Sequence, residues 1–478
     1  MLFNSLDFVL FLPIVYLLYW KLSSSRLALQ NLLLLVASYF FYACWDYRFL
    51  FLLIFSTLLD YFTGIKIASS DSNLQRKKWL WVSIGINAGF LGFFKYYNFF
   101  AASFADFLSG FGLKVEMSTL NIVLPVGISF YTFHGLSYVI DIYRKKIKPE
   151  INFIDYSLFV SFFPLLVAGP IERATHLLPQ LKKPRNFDYA RSVDGLRQMA
   201  WGFFKKVVVA DSCSVYANQI FDHPNLFGGS TLLAGALFFT FQIYCDFSGY
   251  SDIALGTARL FGIELLRNFN YPYFSRDIAE FWRRWHISLS SWFRDYVYIP
   301  LGGSKGNTWF KIRNTFVIFL LSGFWHGANW TFVFWGALNA FYFLPVLLTG
   351  NNRNHLGIVA ENRMLPTIKE TLSILLTFTL TLFAWIFFRS PHLSDAFAYV
   401  GSIFSPSLLH PPEVWPLHVL ALIAFLMIVE WMGRRNSFPL ENLQIHFPAP
   451  VRWSIYMALL TLIFLFYGNN QTFIYFQF

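Results

Sequence analysis

The sequence predicts an all-α, polytopic integral membrane protein with about 10–12 transmembrane helices and additional re-entrant or interfacial helices. Three observations predict this class. The chain has 478 residues, of which 56% are hydrophobic and only 13% are charged, more apolar surface than a soluble protein of this length could bury. Apolar runs of about 17–25 residues, each able to cross a hydrocarbon layer of ~30 Å, recur along the chain. The aromatic content is high, with 59 Phe, 25 Tyr and 16 Trp, and Trp and Tyr suit membrane interfaces.

The apolar spans can be placed approximately along the chain. They cover residues 3–20, 28–44, 48–67, 79–99, 120–141, 155–170, 231–262, 312–324, 327–349, 368–388, 415–432 and 451–467. Several of these spans are too short or too polar to cross a bilayer simply, so the number of crossings stays approximate. Residues 172–230 are more polar, and we interpret them as a cytoplasmic loop with interfacial or re-entrant helices.

Basic residues predict the orientation, because cytoplasmic loops carry an excess of Lys and Arg. They follow the first, third and fifth spans: Lys21, Arg26, Lys66, Arg76, Lys77, Lys78, Arg144, Lys145, Lys146 and Lys148. These loops are expected to be cytoplasmic, which places the N-terminus outside. No basic residue precedes Lys21, so we expect a retained first span rather than a secretory signal.

Composition also argues against other classes of protein. The net charge of +11 is explained by basic loops that face anionic lipid headgroups, so nucleic-acid binding is not predicted. Cys44, Cys213 and Cys245 are scattered without a CxxC pair, which argues against a disulfide framework or a thiolate metal site. No HExxH motif or His/Cys cluster with metal spacing occurs, so we predict no metal site.

An aromatic and basic segment spans residues 281–296. Between positions 267 and 313 lie eight basic residues, which are Arg267, Arg276, Arg283, Arg284, Arg294, Lys305, Lys311 and Arg313. One interpretation is an interfacial anchor with Trp at headgroup level and Arg on phosphates. The other is a site for an anionic donor, such as coenzyme A or a phosphopantetheine carrier, with Arg283 and Arg284 as candidate ligands of the phosphates.

A second polar site is predicted at His326, which lies within the apolar stretch 322–330. An ionisable residue at membrane depth is costly and therefore suggests a function. Imidazole, with a pKa near 6.5, can accept the proton of an alcohol that attacks a thioester. On a continuous helix, Asn329 and Trp330 would share its face and could orient the ring. The alternative is a neutral histidine hydrogen-bonded inside the bundle.

Two further patterns bear on packing and polarity. Gly323 and Gly327 form a GxxxG pattern, which lets another helix approach closely. The segment Tyr244–Asp252 places Asp246 and Asp252 inside an apolar region, where they need partners or water. They could line a polar passage, or form a buried Asp–Arg pair that fixes the register of a helix.

Six motifs together resemble the membrane-bound O-acyltransferase (MBOAT) family over nearly the whole chain. They are Leu124-Pro125-Val126-Gly127-Ile128-Ser129-Phe130-Tyr131-Thr132-Phe133, Ala168-Gly169-Pro170-Ile171, Tyr244 through Asp252, Phe281-Trp282-Arg283-Arg284-Trp285-His286, Tyr298-Ile299-Pro300-Leu301-Gly302-Gly303 and Trp325-His326-Gly327. The resemblance implies a mostly helical fold around a central funnel. It also implies a single membrane domain over 1–478, with N-terminal helices in 1–150, a core with both histidines in 151–350 and C-terminal helices in 351–478.

The resemblance further implies that His326 is catalytic and that His286 lies nearer the cytoplasmic entrance and helps to place the donor. Trp325, Asn329, Arg283, Arg284 and Asp252 are the supporting candidates. No tightly bound cofactor is expected. The implied donor is acetyl-CoA or another acyl-thioester on the cytoplasmic side.

The implied acceptor is an exported polysaccharide such as alginate, reached through a periplasmic acetyltransferase partner protein. The implied location is the bacterial inner membrane.

Other functions remain open from the sequence. Relatives within the family could acetylate cellulose or peptidoglycan, transfer D-alanine to teichoic acids from a carrier protein, or acylate lipids. A transporter or channel without chemistry of its own could use the same polar residues as a permeation path. The tryptophan-rich surroundings of His286 and His326 favour an enzyme, because a pore does not require them.

Overall fold

The computed structural model describes residues 1–22, 26–113, 119–167, 169–468, 471, 473 and 474. All regular secondary structure in this described part is helical, which confirms the predicted fold class. Ala168, which belongs to one of the motifs above, lies outside the described residues. The chain divides into two compact units, Met1–Ser192 with Thr257–Leu266, and Val193–Gly256 with Arg267–Phe478. The organisation as a single domain stays a prediction.

The first unit contains nine helices among its described residues. They are α1 Leu6–Leu22, α2 Leu27–Ala43, α3 Tyr47–Ser69, α4 Asn73–Leu91, α5 Tyr97–Ser109, α6 Ile128–Tyr143, α7 Phe153–Ser161, α8 Phe163–Leu166 and α9 Ala174–Leu181. Helix starts follow their capping residues: Asp46 accepts a hydrogen bond from the backbone at the start of α3, and Ser72 does so for α4. Inside this unit the buried Asp60 accepts hydrogen bonds from Ser83 at 2.7 Å and Asn87 at 2.9 Å.

From residue 189 onwards the described chain forms twelve α-helices. They are α10 Tyr189–Phe203, α11 Asp211–Asp222, α12 Gly229–Leu260, α13 Ile278–Arg284, α14 Ile287–Phe293, α15 Thr308–His326, α16 Trp330–Leu348, α17 Ile368–Arg389, α18 Leu393–Ile403, α19 Leu417–Gly433, α20 Leu443–His446 and α21 Ala449–Phe466. A π-helical segment, Phe204–Ala210, joins α10 to α11, and another, Arg294–Tyr298, follows α14. Aromatic and aliphatic side chains from these helices form the core of the second unit.

Five described helices are long and apolar enough to cross a membrane: α3, α12, α16, α17 and α21. The apolar helices α2 and α19 are shorter. Most predicted spans coincide with a helix to within a few residues. The protein is therefore a multi-pass membrane protein, while the larger predicted number of crossings includes helices that are short or polar.

The predicted span 79–99 lies within one helical stretch, in which the π-helical segment Gly92–Tyr96 joins α4 to α5 without a break. Two other predicted spans were wrong in their continuity. The span 120–141 becomes helical only at Ile128, because Gly127 before it adopts a left-handed φ of 75°. The span 155–170 breaks at Phe162 and restarts in α8, where Pro164 occupies the first turn that best tolerates proline.

Helices α15 and α16 pack against each other at two glycines. A Cβ atom at Gly323 would collide with the carbonyl oxygen of Phe332, and one at Gly336 would collide with that of Phe319. The predicted close approach at Gly323 is therefore confirmed, with Gly336 as the opposing glycine. Gly327 differs from the expectation, because it follows the end of α15 and faces the ring of Phe332.

Candidate active site

The second unit brings the two predicted histidines together. Their ring centroids lie 6.4 Å apart, although the residues are 40 positions apart in the sequence. His286 lies between α13 and α14, and His326 is the last residue of α15. The side chains are almost completely buried, with exposed fractions of 1% and 4%. This pairing is the geometric basis of the candidate site.

The backbone at His286 is held in an uncommon conformation by Asn268. His286 has φ 42° and ψ 54°, in the left-handed region that few residues other than glycine adopt. The amide of Ile287 donates to the backbone carbonyl of Asn268 at 2.9 Å, and the Ser288 hydroxyl donates to its side-chain oxygen at 2.6 Å. The Asn268 amide donates in turn to Ser251 at 2.9 Å. Asn268 therefore fixes the segment that carries His286.

Sequence reasoning missed Asn268, which is 1% exposed. The residues around it, Arg267-Asn268-Phe269-Asn270, are typical of an ordinary polar loop, so the sequence does not single out Asn268. The signal that identifies it is its contact with two serines from distant positions, which only the folded chain shows.

Aromatic side chains surround the two imidazoles. The Phe247 ring lies 4.7 Å from that of His286, and the Trp325 ring lies 5.9 Å from His286 and 4.9 Å from His326, centroid to centroid. The rings of Trp335 and Phe388 lie 5.2 Å and 5.3 Å from His326. Trp325 was predicted as a supporting residue, whereas the other three were not.

Burial changes the acid–base behaviour of His286, which lies outside the membrane-spanning helices. Desolvation lowers the pKa of its imidazole to about 3. The ring is therefore neutral at physiological pH, with one nitrogen that can donate a hydrogen bond and one that can accept one. Among the described residues no group of three or more His, Cys, Asp or Glu side chains could hold a metal ion.

Asn329 is placed differently from the prediction. Helix α15 ends at His326, so the helical spacing that put Asn329 and Trp330 on the histidine's face does not apply. Asn329 instead caps α16: its side-chain oxygen accepts from the Thr331 amide at 3.0 Å, and its nitrogen donates to the Pro391 carbonyl at 2.8 Å. Asn329 therefore fixes the turn that follows His326.

Arg283 and Arg284 both hold backbone carbonyls. Arg283 donates to the carbonyls of Asn352 at 2.7 Å and His355 at 3.0 Å. Arg284 donates to that of Gly357 at 3.0 Å and forms an ion pair with Glu280 at 2.9 Å. These contacts attach the 352–357 loop to α13. A role of either arginine in binding donor phosphates stays a prediction.

The two aspartates of α12 pair with lysines, where the sequence had suggested an arginine. Asp252 accepts from Lys205 at 2.6 Å and from Gln198 at 2.8 Å. Asp246 lies 2.8 Å from the ammonium group of Lys206. The lysines precede α11 in the π-helical segment, and each is at most 3% exposed. Asp252 therefore belongs to a buried ion pair with Lys205. Its predicted supporting role in the site stays a prediction.

Comparison with known proteins adds independent findings. A model of the membrane-bound O-acyltransferase family matches residues 143–383, a range that contains both histidines. The probable alginate O-acetylase AlgI of Pseudomonas aeruginosa is 39% identical over 92% of this chain and 84% of its own length.

Relatives with other printed activities also match. The peptidoglycan O-acetyltransferase of Helicobacter pylori is 36% identical over 83% of this chain and 78% of its own length. The teichoic acid D-alanyltransferase of Bacillus subtilis is 29% identical over 46% of this chain and 58% of its own length.

Proposed function

The chain belongs to the membrane-bound O-acyltransferase family, and on that premise we propose that it transfers acetyl from a thioester donor across the membrane for O-acetylation of an exported polysaccharide such as alginate. It is an O-acyltransferase and a multi-pass membrane protein. The observation that carries the proposal is the pair of buried imidazoles, 6.4 Å apart in an aromatic enclosure. The relative from Pseudomonas aeruginosa, named for alginate, supports this choice of acceptor.

In the proposed reaction His326 is the general base. Its neutral imidazole accepts the proton of the attacking hydroxyl while the hydroxyl oxygen forms a bond with the thioester carbonyl carbon. The carbon–sulfur bond then breaks, and the thiolate leaves and takes up the proton from the imidazolium. The neighbouring His286, neutral because it is buried, has one nitrogen that can donate a hydrogen bond to the carbonyl oxygen as negative charge develops on it.

The donor in this proposal is acetyl-CoA or another acyl-thioester that arrives from the cytoplasm. The basic loops after the first, third and fifth spans support this orientation. The acetyl group leaves on the periplasmic face of the bacterial inner membrane, where a partner acetyltransferase completes transfer to the polymer. Arg283 and Arg284 contribute to donor binding through the 352–357 loop that they hold.

The test replaces His326 with alanine and measures the acetyl content of the secreted polymer. We expect acetylation to be lost while the protein level and the amount of exported polymer stay unchanged. His223→Ala, at an exposed histidine, is the matched control and should keep the wild-type acetyl content. Unchanged acetylation in the His326 variant would contradict the assignment.

Peptidoglycan is a second candidate acceptor, because the relative from Helicobacter pylori that carries this name covers most of the chain. Acetyl esters on the glycan strands, lost with His326→Ala, would favour it over an exopolysaccharide. The relative named for D-alanyl transfer matches less of the chain. Release of D-alanine, rather than acetate, on mild alkaline hydrolysis of the envelope would favour that branch.

A further inference from the structure

A cavity of about 680 Å³ lies between α19 and α21 in the second unit. Its wall on α19 extends from Phe425 to Gly433, and its wall on α21 extends from Ile455 to Leu462. Phe425 and Gly433 are eight positions apart, so the cavity follows α19 for about 12 Å. Its volume lies within the range of about 300–1,000 Å³ that is typical of ligand pockets.

The two ends of the cavity differ in polarity. The end between the two helices is lined by apolar side chains, which include Phe425, Val429, Leu459 and Leu462. The other end, next to the segment that joins α19 to α21, is lined by the polar side chains of Asn436, Glu441 and His446. A ligand that fits both ends is therefore an amphiphile, with an apolar chain and a polar head.

Two arginines lie near the polar end. Arg452 precedes Ile455, which lines the cavity, and Tyr456 by about one turn of α21, so these side chains are neighbours on the helix surface. Arg197 donates to the side chain of Gln444 at 2.7 Å, in the short helix α20 that also lines the cavity. Its guanidinium carbon lies 5.8 Å from the centroid of the Tyr456 ring. Two guanidinium groups therefore lie close to the same tyrosine.

Neither of these arginines forms an ion pair with an acidic side chain in the described part of the chain, and the Nε atom of each lacks a hydrogen-bond partner there. Both side chains are partly exposed, so a ligand can reach them. Glu441, the acidic residue of the cavity wall, accepts a hydrogen bond from the backbone amide of Ser437. A partly buried cation without a counter-charge is costly, so an anionic group would stabilise this end of the cavity.

The surroundings of the cavity indicate a membrane lipid. Helix α21 is long and apolar enough to cross a membrane, and only 6% of its apolar window is buried inside the protein, so most of it is available to hydrocarbon. The segment 434–452 contains three arginines, Arg434, Arg435 and Arg452, and one acid, Glu441. This excess of basic residues predicts the cytoplasmic side. Basic pockets between helices on that side favour anionic lipid headgroups.

We propose that this cavity binds an anionic glycerophospholipid of the surrounding bilayer. The headgroup phosphate lies at Arg197 and Arg452, and one acyl chain lies between α19 and α21. The bound lipid thereby stabilises the packing of the C-terminal helix. Neither His286 nor His326 lines the cavity, so binding of the lipid is a property separate from acyl transfer.

The first experiment measures the binding of phosphatidylglycerol to the full chain, purified in mild detergent, by native mass spectrometry. Ala458 lines the cavity and is exposed, so Ala458→Phe should fold and occupy the space of the acyl chain. We expect this variant to bind the lipid about tenfold more weakly, because close packing leaves no room for both. Ala88→Phe, at an exposed alanine of α4, is the matched control and should bind as the wild type does.

The second experiment tests the position of the phosphate. Arg452→Gln and Arg197→Gln remove a charge but keep a donor, and each is expected to weaken phosphatidylglycerol binding about tenfold, as for the loss of a hydrogen bond from a charged group. Binding of zwitterionic phosphatidylcholine should change less. Arg26→Gln, at an exposed arginine after the first helix, is the control. Wild-type affinity for phosphatidylglycerol in both variants would overturn the proposal.

Thermal unfolding in detergent gives a third measurement. Added phosphatidylglycerol should raise the unfolding midpoint of the wild type and of Ala88→Phe, but not that of Ala458→Phe. Equal lipid binding by Ala458→Phe and the wild type would overturn the proposal. If Ala458→Phe also changes an oligomer into a monomer while lipid binding stays unchanged, the cavity is instead an interface between two copies of the chain. If Ala458→Phe does not accumulate, the two arginine variants decide.

Discussion

At the residue scale, the position of His286 depends on an unusual backbone geometry. A non-glycine residue at positive φ carries a conformational cost of order 1–3 kcal/mol and persists when its surroundings determine it. Asn268 stabilises this conformation through hydrogen bonds of its backbone carbonyl and of both the oxygen and the nitrogen of its side-chain amide. The geometry of the histidine pair therefore also depends on Asn268, a residue that need not contact a substrate.

Asn268→Ala should impair the site without removing either histidine. The change leaves the buried hydroxyls of Ser251 and Ser288 without this partner, at a cost of about 1–3 kcal/mol in the free energy of unfolding. We expect a lower thermal unfolding midpoint in detergent and a loss of acetyl transfer that exceeds the loss of folded protein. Asn354→Ala, at an exposed asparagine, is the control. Wild-type transfer per folded molecule would show that Asn268 does not position His286.

At the scale of elements, α15 and α16 carry the site through their close contact. His326 is the last residue of α15, and Trp335, which packs on it, lies in the first turns of α16. The backbones approach at Gly323 and Gly336, where added Cβ atoms would meet carbonyl oxygens. Any side chain at these positions would force the helices apart and change the spacing between His326 and Trp335.

Gly323→Ala should therefore destabilise the pair of helices, since overpacking typically costs 1–3 kcal/mol. The thermal unfolding midpoint should fall, and acetyl transfer should fall with it. Gly89→Ala in α4 is the matched control, because a Cβ there meets nothing within 4 Å. That control should be neutral or stabilising by up to about 1 kcal/mol, as alanine favours a helix more than glycine does. Equal midpoints for the two variants would contradict the packing argument.

The sequence predicted the helices better than it predicted their ends. Apolar run length located α3, α12 and α17 closely, because crossing a bilayer requires long apolar segments. Helix ends depend on local chemistry that hydropathy does not report: Gly127 delays α6, and α15 stops at His326. Because α15 stops at His326, Asn329 does not share a helix face with His326, contrary to the prediction.

For the candidate site, His326 could be identified from the sequence, because ionisable side chains within apolar stretches are rare. His286 lies in an aromatic and basic segment, and only the resemblance to the family singled it out. The 6.4 Å separation of the two rings could not be predicted, since it depends on how α13 and α15 pack. Trp335 and Phe388 were not predicted as residues of the site, for a related reason. In a chain with 16 Trp and 59 Phe, the sequence gives no reason to single out two of them.

At the scale of the whole molecule, a buried ion cluster joins distant parts of the sequence. Lys206 contacts Asp211 at 2.7 Å and Asp246 at 2.8 Å, and it donates to the backbone carbonyl of Gln471 at 3.1 Å. Asp246 also accepts from the amide of Ile474 at 2.7 Å. One ammonium group therefore connects the segment before α11, the middle of α12 and residues more than 220 positions later.

Lys206→Met should be strongly destabilising. Removing one partner of a buried ion pair leaves an uncompensated charge, which typically costs 3–5 kcal/mol, and here two carboxylates lose the same partner. We expect a large drop in the thermal unfolding midpoint or in the amount of protein inserted in membranes. Lys369→Met, at an exposed lysine, should resemble the wild type. A Lys206 variant of normal stability would show that the carboxylates are satisfied in another way.

The C-terminal end of α15 affects the electrostatic environment of the His326 imidazole. The peptide dipoles of a helix sum to a partial negative charge at its C-terminus, which favours a nearby cation by about 0.3–1 kcal/mol. His326 occupies the last turn of a helix of 19 residues. A proton that reaches this ring would therefore arrive where backbone carbonyls already favour positive charge. In the proposed reaction, this end of the helix would therefore help to stabilise the imidazolium until the departing thiolate takes up the proton.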